Sequence, residues 1–555
     1  MRRTMNVLNG HGPQEPTRFY TMQYDHPYFG QLFLAGLLRI VGYPSSLHPS
    51  AAAPDDLIRS IEMLHLVPRV LMGLLAVVDT FLIYKIAEVR YNRKVAFIAS
   101  VLFAVMPLSW LTRRIYLENL QLPFLLLSIL FAVYYNKKNY YSSSLLLSSS
   151  ISSTTKRTIS SSSSTYEKSN NNKNTDTKKN NNIPLILLSG IFLGLAIFTK
   201  IPAFTMIPLV GFLIISSSSA TNNKNNNQNN NSDAGTSSST ITKRLGRNII
   251  ITNLRNLPNL KALGIWFIPV ILIPLIWPAY AISIGQFDSW MDGIVLQTHR
   301  GVKPLLEWIN GLSRIDPVLL IVATVGFLYA AAIKRDFMFL LWIIPFLIFF
   351  TTIGFVRFYF WILLLPLFCI SAAVLIEGLS DKISKIGKNN SRKNTIIVSQ
   401  KILPYAIISV VAIFGLASTI MLITTNLNSS YFQLYAFIVQ HLPNNNNDKV
   451  TIVGSQWIAG FSWIPNDVFS KNHDYRRFSE STKVPTKNVL FVLDNNTKDI
   501  LSKNKEISIR SLYTTSKKIA TFEDINNGHY DFNKYPYTSM RENIGIGRVE
   551  IRTNY

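Results

Sequence analysis

The chain has 555 residues, of which 48% are hydrophobic, 12% aromatic and only 15% charged, and its mean hydropathy is +0.21. An average soluble domain carries about 25% charged residues, so this composition excludes an ordinary soluble protein and points to a polytopic membrane protein. Cys369 is the only cysteine, which excludes intrachain disulfides and cysteine-based metal sites.

In chain order, a polar stretch with no signal-peptide h-region comes first. The segment YDHPYFGQLFLAGLLRIVG follows at 24–42, placing Asp25, His26 and Pro27 at the lip of an apolar run. Spanning-length apolar runs then recur at Leu64–Ile86, Val95–Leu111, Ile115–Tyr135, Ile183–Thr199, Ile201–Ile215, Leu263–Ile284, Val318–Ile333, Phe337–Phe355, Phe358–Ile376 and Ile402–Thr424. These predict about ten helices, several near the lower limit for crossing a ~30 Å hydrocarbon core. The expected fold is mainly α: a polytopic membrane helical bundle with a small extracytoplasmic α/β domain at the C-terminus.

Three regions follow from this pattern. Residues 1–60 form a first outer loop, residues 61–424 the transmembrane bundle, and residues 425–555 a soluble extracytoplasmic domain. Within the bundle, 142–182 and 216–240 are runs of Ser and Asn with scattered Lys. They have too little apolar surface to bury and are expected to be disordered cytoplasmic loops. In the last region Tyr431–His441 reads as a helix, and Val450–Gly454 and Val489–Leu493 as buried strands. Two sequons, at Asn428 and Asn495, read as chance matches in so Asn-rich a chain.

The net charge of +25 raises nucleic acid as a partner, but its distribution argues against one. Basic residues concentrate in alternate connections: Lys85–Lys94, Lys137–Lys179, Lys243–Lys261, Lys334–Arg335 and Lys382–Lys401. The connections between them are nearly free of basic residues. This is the positive-inside pattern, which places the basic loops in the cytoplasm of a multi-pass cell-membrane protein.

The informative groups are then the few ionisable residues at the opposite ends of the spans, where charge near hydrocarbon marks a polar cavity or a substrate path. Arg114 and Glu118 are spaced i, i+4 and could pair on one helix. Lys200 stands alone in GIFLGLAIFTKIPAFTMIPL, and Arg357 in GFVRFYFWILLLPL. Each is either an interfacial anchor or a cation held for a phosphate. His299 and Arg300 lie in the long outward loop Gly285–Asp316, whose Asp288, Asp292 and Glu307 read as ordinary loop charges. Arg69 and Asp79 read as structural. Cations gathered near an acidic residue suit a lipid-linked phosphate, with a carboxylate available as a general base. An anion transporter would need similar cations.

Four segments carry a resemblance. YDHPYFGQLFLAGLLRIVG, RRIYLENLQLPFLLLSILFAVYY, GIFLGLAIFTKIPAFTMIPLV and RFYFWILLLPLFCISAAVLI resemble, in order, motifs of GT-C membrane glycosyltransferases. The nearest likeness is to the dolichyl-phosphate-mannose protein mannosyltransferase and aminoarabinose lipid A transferase group. Cys369 stands near where that group's late helix has a proline. The resemblance implies a hexosyltransferase moving mannose or a similar hexose from a polyprenyl-phosphate (dolichyl-phosphate) donor to a protein, lipid or glycan acceptor on the outer side.

It also implies roles for individual residues. Asp25 and Glu118 would be catalytic carboxylates. Lys200, Arg357 and Arg300 would hold the donor phosphate, and His26, His299 and Arg114 would line the substrate entrance. The resemblance leaves room for a divalent metal as cofactor, although the sequence contains no metal-ligand set. Its partners would be the lipid-linked donor, the acceptor and membrane lipids, with no nucleic acid.

One departure stands out. The group's principal carboxylate pair lies after a first transmembrane helix, about thirty residues before the Asp-His-Pro segment, and counting back from Asp25 reaches or passes residue 1. The expectation is a natural chain with one more N-terminal span. The alternatives are an inactive truncated relative, or a non-enzymatic polyprenyl-phosphate-binding or transporter-like protein.

Overall fold

The computed structural model describes residues 1–13, 24–44, 54–157, 182–216, 257–298, 305–353, 358–388, 393–424, 429–442, 450–454, 458, 460–471, 473–477, 488–494, 497, 514–523 and 548–553. In chain order the helices are α1 (Arg2–Leu8), α2 (Phe29–Ile40), α3 (Pro54–Arg90), α4 (Arg93–Val105), α5 (Leu117–Arg157), α6 (Ile183–Thr199), α7 (Ile207–Ile215), α8 (Leu257–Ser283), α9 (Phe287–Thr298), α10 (Leu305–Ile315), α11 (Pro317–Leu328), α12 (Phe337–Ile353), α13 (Leu365–Lys388), α14 (Lys393–Thr424) and α15 (Ser429–His441). Short 3-10 turns lead into α5, α7 and α13 at Pro107–Arg113, Ile201–Met206 and Phe358–Leu364.

Each of the ten apolar runs forms helix over its described residues, as expected. Among the described residues, however, only four helices are long and apolar enough to cross a membrane unbroken: Asp56–Arg90, Leu117–Asn139, Leu260–Ser283 and Tyr359–Lys382. Proline explains part of the shortfall. Met106 is extended (φ −69°, ψ 145°) because it precedes Pro107, and α4 meets the following 3-10 turn at 71°. Counting that bent pair as one span gives five. The chain is an integral membrane protein, and the apolar side chains on its rim, such as Val77, Phe81 and Val410, suit a lipid surround.

Small residues bring the helices together. A Cβ at Gly190 or Gly194 of α6 would lie 2.4 Å from the Trp266 carbonyl oxygen and 2.6 Å from that of Pro269 on α8. At Gly326 of α11 it would lie 2.2 Å from the Ser371 carbonyl oxygen on α13. Helix backbones pack this closely in lipid because dispersion, not water exclusion, drives their association. The resulting core runs through α3–α8 and α10–α14 and contains Phe103, Trp266, Trp342 and Cys369.

The C-terminal domain is a five-stranded mixed sheet of order β2-β1-β3-β5-β4, with β1 Thr451–Gly454, β2 Asp474–Arg477, β3 Val489–Leu493, β4 Lys517–Glu523 and β5 Arg548–Thr553. β1 pairs in parallel with β2 and β3, while β5 runs antiparallel to β3 and β4. The unbroken apolar strands expected at 450–454 and 489–493 are central and buried along their length. Tyr431 on α15 donates to Asp494 Oδ2 at 3.0 Å, and Thr497 closes the turn through its N–H and hydroxyl.

The sheet does not stand apart from the bundle. One hydrophobic core joins Tyr435, Ile452, Trp463 and Leu490 of this domain to Met5, Leu34, Leu57, Ile61 and Leu64 of α1–α3.

Two stretches expected to be loops contain helix. The Gly285–Asp316 connection holds α9 and α10. Helix α5 continues to Arg157, so the first part of the Ser-rich segment 142–182 is helical. Residues 158–181 and 217–256, which hold the rest of that segment and nearly all of 216–240, lie outside the described residues.

Candidate active site

The site forms where α2, α5 and α6 meet, at the bundle end that carries the sheet. Pro202 cannot donate to continue α6, so the helix stops at Thr199 and Lys200 turns extended (φ −159°, ψ 131°). The Gln121 amide of α5 sits at this break, donating to the Ala196 oxygen at 2.9 Å and to the Lys200 oxygen, which also accept from the Lys200 and Ala203 N–H groups.

This break points the Lys200 ammonium at the first turn of α5, where it pairs with Glu118 Oε1. Lys200 is 4% exposed and Glu118 1%. Glu118 also sits at the positive end of the α5 dipole. The Tyr359 and Phe360 rings cover Lys200 at 5.1 and 4.4 Å, a cation–π arrangement.

The expected Arg114–Glu118 pair does not form. Helix α5 starts at Leu117, so Arg114 lies before the helix and the i, i+4 geometry is absent. Arg114 instead lies over the Trp110 ring at 4.2 Å and donates to the Tyr116 hydroxyl at 3.2 Å. Lys200, isolated in sequence, is the residue that holds Glu118.

Asp25 precedes α2 and is 5% exposed. Its carboxylate lies 2.5 Å from Arg3 Nη2 and 3.9 Å from His26 Nε2. Helix α9 fixes this turn: Gln297 donates to the Asp25 carbonyl at 3.1 Å, and Tyr24 donates to Gln286 at 2.8 Å. The approach is so close that a Cβ on Gly293 would meet the Tyr24 carbonyl oxygen at 2.4 Å.

Asp25, His26, Arg3, Tyr116 and Leu117 line a cavity of about 240 Å³. Tyr116 stacks on Tyr359 at 4.9 Å. The Tyr116–Tyr359 stack therefore links a wall of this cavity to the ring that covers Lys200.

Arg357, His299 and Arg300 lie outside the described residues. Sequence reasoning passed over Arg3, Gln121, Tyr116 and Tyr359, because each acts through a partner distant in the chain. The Tyr359–Phe360 pair next to Arg357 was the one local signal. Among the described residues no group of three His, Cys, Asp or Glu side chains could hold a metal ion.

Fold and site together define a polytopic membrane protein with a mixed-sheet domain over a cavity lined by ionisable groups. No protein-family model and no curated protein matches the chain. Among solved structures it is similar to ArnT from Cupriavidus metallidurans bound to undecaprenyl phosphate, at 10% identity and a TM-score of 0.44, covering 100% of this chain and 92% of that one. It is also similar to the apo oligosaccharyltransferase of Archaeoglobus fulgidus, at 13% identity and a TM-score of 0.41, covering 89% of this chain and 65% of that one. A third structure, the same archaeal enzyme tethered to an acceptor peptide, matches at 13% identity with a TM-score of 0.40. This chain spans 61% of that protein's length.

Proposed function

We propose that this protein is a GT-C membrane glycosyltransferase that moves a hexose from a polyprenyl-phosphate donor to a hydroxyl-bearing acceptor on the outer side of the membrane. The single observation that carries the reading is the buried Lys200–Glu118 pair beneath Tyr359, whose ring stacks on Tyr116 in the wall of the cavity that holds Asp25. A buried ion pair contributes little net stability against an apolar replacement. Its presence beside a cavity that holds Asp25, His26 and Arg3 therefore fits a functional use better than a structural one.

The chemistry follows from exchange of partners. The donor phosphate takes the place of Glu118 on Lys200, with Arg357 and Arg300 as further cations. Glu118, released, accepts the proton of the acceptor hydroxyl as that oxygen attacks the anomeric carbon. The bond from the anomeric carbon to the phosphate oxygen breaks, and the electron pair leaves on polyprenyl phosphate, whose added charge Lys200 stabilises. One displacement inverts the anomeric centre and needs no glycosyl-enzyme intermediate. Asp25 orients the acceptor, and His26, His299 and Arg114 line its path. The basic loops support a C-terminal domain outside the cell membrane, and mannose is the first hexose to test, with protein as the first acceptor.

The test uses the full chain in nanodiscs with polyprenyl-phosphate mannose, reading donor binding and sugar transfer separately. The Lys200→Met/Glu118→Gln double variant removes both charges, so no lone charge is left buried. Donor binding should fall by at least about tenfold. Near-normal binding by this variant sinks the donor-phosphate assignment. Donor binding by the unaltered chain with no transfer to any hydroxyl acceptor favours a lipid-phosphate-binding protein over an enzyme.

A further inference from the structure

A second cavity, of about 290 Å³, lies between α3, the Arg114–Tyr116 turn and the C-terminal domain. We propose that it binds an anionic saccharide: a sugar ring that carries a carboxylate or a phosphate. Arg69 and Arg114 supply the positive wall, and no Asp or Glu lines the cavity among the described residues. Neither guanidinium has a carboxylate within 4 Å among those residues. Among the described residues, Arg114 meets the Trp110 ring and the Tyr116 hydroxyl. Arg69 was expected to be a structural helix-end residue, yet it stands exposed on the cavity wall.

The same wall contains a buried histidine. His65, one turn before Arg69 on α3, is 7% exposed, and its Nε2 has no hydrogen-bond partner. Phe461, Phe432 and Trp463 surround its ring at 5.1, 5.3 and 5.9 Å. An unsatisfied buried polar atom is costly; Nε2 itself is covered, while the His65 side chain forms part of the cavity wall.

The chemistry of the lining selects the ligand class. Paired guanidinium forks match carboxylate and phosphate oxygens. The aromatic wall offers a flat apolar surface to the C–H face of a sugar ring, in the usual pattern of a mostly apolar site with a few convergent polar groups. The volume suits one ring rather than a long glycan. The residues on the C-terminal side belong to the sheet domain, while Ile115 and Tyr116 line both this cavity and the one that holds Asp25. The inference does not depend on transfer chemistry at Lys200 and Glu118.

The experiment is direct binding to the full chain in neutral phosphatidylcholine nanodiscs, read by saturation-transfer NMR. The probes are D-glucuronate, glucose 6-phosphate, D-glucose and inorganic phosphate. Both anionic sugars should bind saturably, with glucose and inorganic phosphate each at least about tenfold weaker. Arg69→Gln and Arg114→Gln should each weaken the anionic sugars about tenfold, at an unchanged melting temperature. If Arg69→Gln does not fold, Arg114→Gln and Arg69→Lys carry the test, because Arg69→Lys keeps the charge and loses the fork. Equal binding of glucose, or inorganic phosphate as tight as the sugars, overturns the proposal. So does displacement of glucuronate by polyprenyl phosphate, which would make the cavity the lipid-phosphate site.

Discussion

Lys200 and Glu118 are 82 residues apart in sequence and meet as a buried ion pair where α6 breaks and α5 begins. The pair links the polar break in one helix to the start of another, and Gln121 reinforces it by capping the broken end. Removing one partner leaves a buried charge uncompensated. Glu118→Gln or Lys200→Met alone should lower stability by about 3–5 kcal/mol. The double variant should cost well under the sum. Thermal unfolding in detergent of the three variants measures the coupling, and strictly additive losses would mean that the two charges do not interact.

Helix contact through small residues gives a second expectation. Gly326→Ala puts a methyl 2.2 Å from the Ser371 carbonyl oxygen, a backbone atom that cannot rotate away. The cost should be about 1–3 kcal/mol of overpacking. Gly264→Ala on α8, where nothing lies within 4 Å of the added Cβ, is the control and should be neutral or slightly stabilising. Equal melting temperatures for the two variants would contradict the close α11–α13 packing.

Asp316 gives a pH expectation. It caps α11 through the Leu319 N–H at 2.9 Å and ties in the Leu108 N–H at 3.2 Å. Burial raises its carboxyl to about 6, against the opposing pull of those two backbone donors. A carboxyl that holds its proton more tightly when folded contributes stability at low pH, and that contribution is lost as pH rises from the unfolded value near 4 to about 6. Asp316→Asn keeps a capping oxygen and cannot ionise. The melting temperature of the native chain minus that of the variant should therefore fall between pH 4 and 6 and level off above. A difference that rises over that range would reverse the sign and refute the assignment.

Topology can be tested with the one native cysteine removed. On a Cys369→Ser background, Lys518→Cys on β4 should react with a membrane-impermeant maleimide in intact cells. Lys94→Cys at the start of α4 should react only after permeabilisation. Both positions are exposed, so accessibility to the reagent depends on the side of the membrane alone. The opposite labelling pattern would invert the proposed orientation.

Trp342 tests how far polar contacts matter inside the bundle. Its indole N–H donates to the Leu363 carbonyl at 3.1 Å, in the 3-10 turn next to Tyr359. Trp342→Phe should lose about 0.5–1.5 kcal/mol and loosen the turn over Lys200. Donor affinity should fall along with melting temperature if that turn helps to hold the site.

By itself the sequence determined the membrane class, the positions of the helical segments and the central strands at 450–454 and 489–493. These features are encoded locally, in runs of apolar residues and in the prolines and polar residues that end them. It also marked Lys200, Glu118 and Asp25, because a charge beside an apolar span is visible without a partner. What it could not decide was pairing. Local spacing assigned Glu118 to Arg114, while the start of α5 at Leu117 and the break at Pro202 gave it to Lys200. Arg69 looked like a helix-end residue until the sheet domain closed a cavity over it with Phe432, Phe461 and Trp463. The partners of a buried charge are chosen by which helices pack together. That choice depends on side-chain volume and backbone approach across the whole bundle, neither of which any short stretch of chain contains.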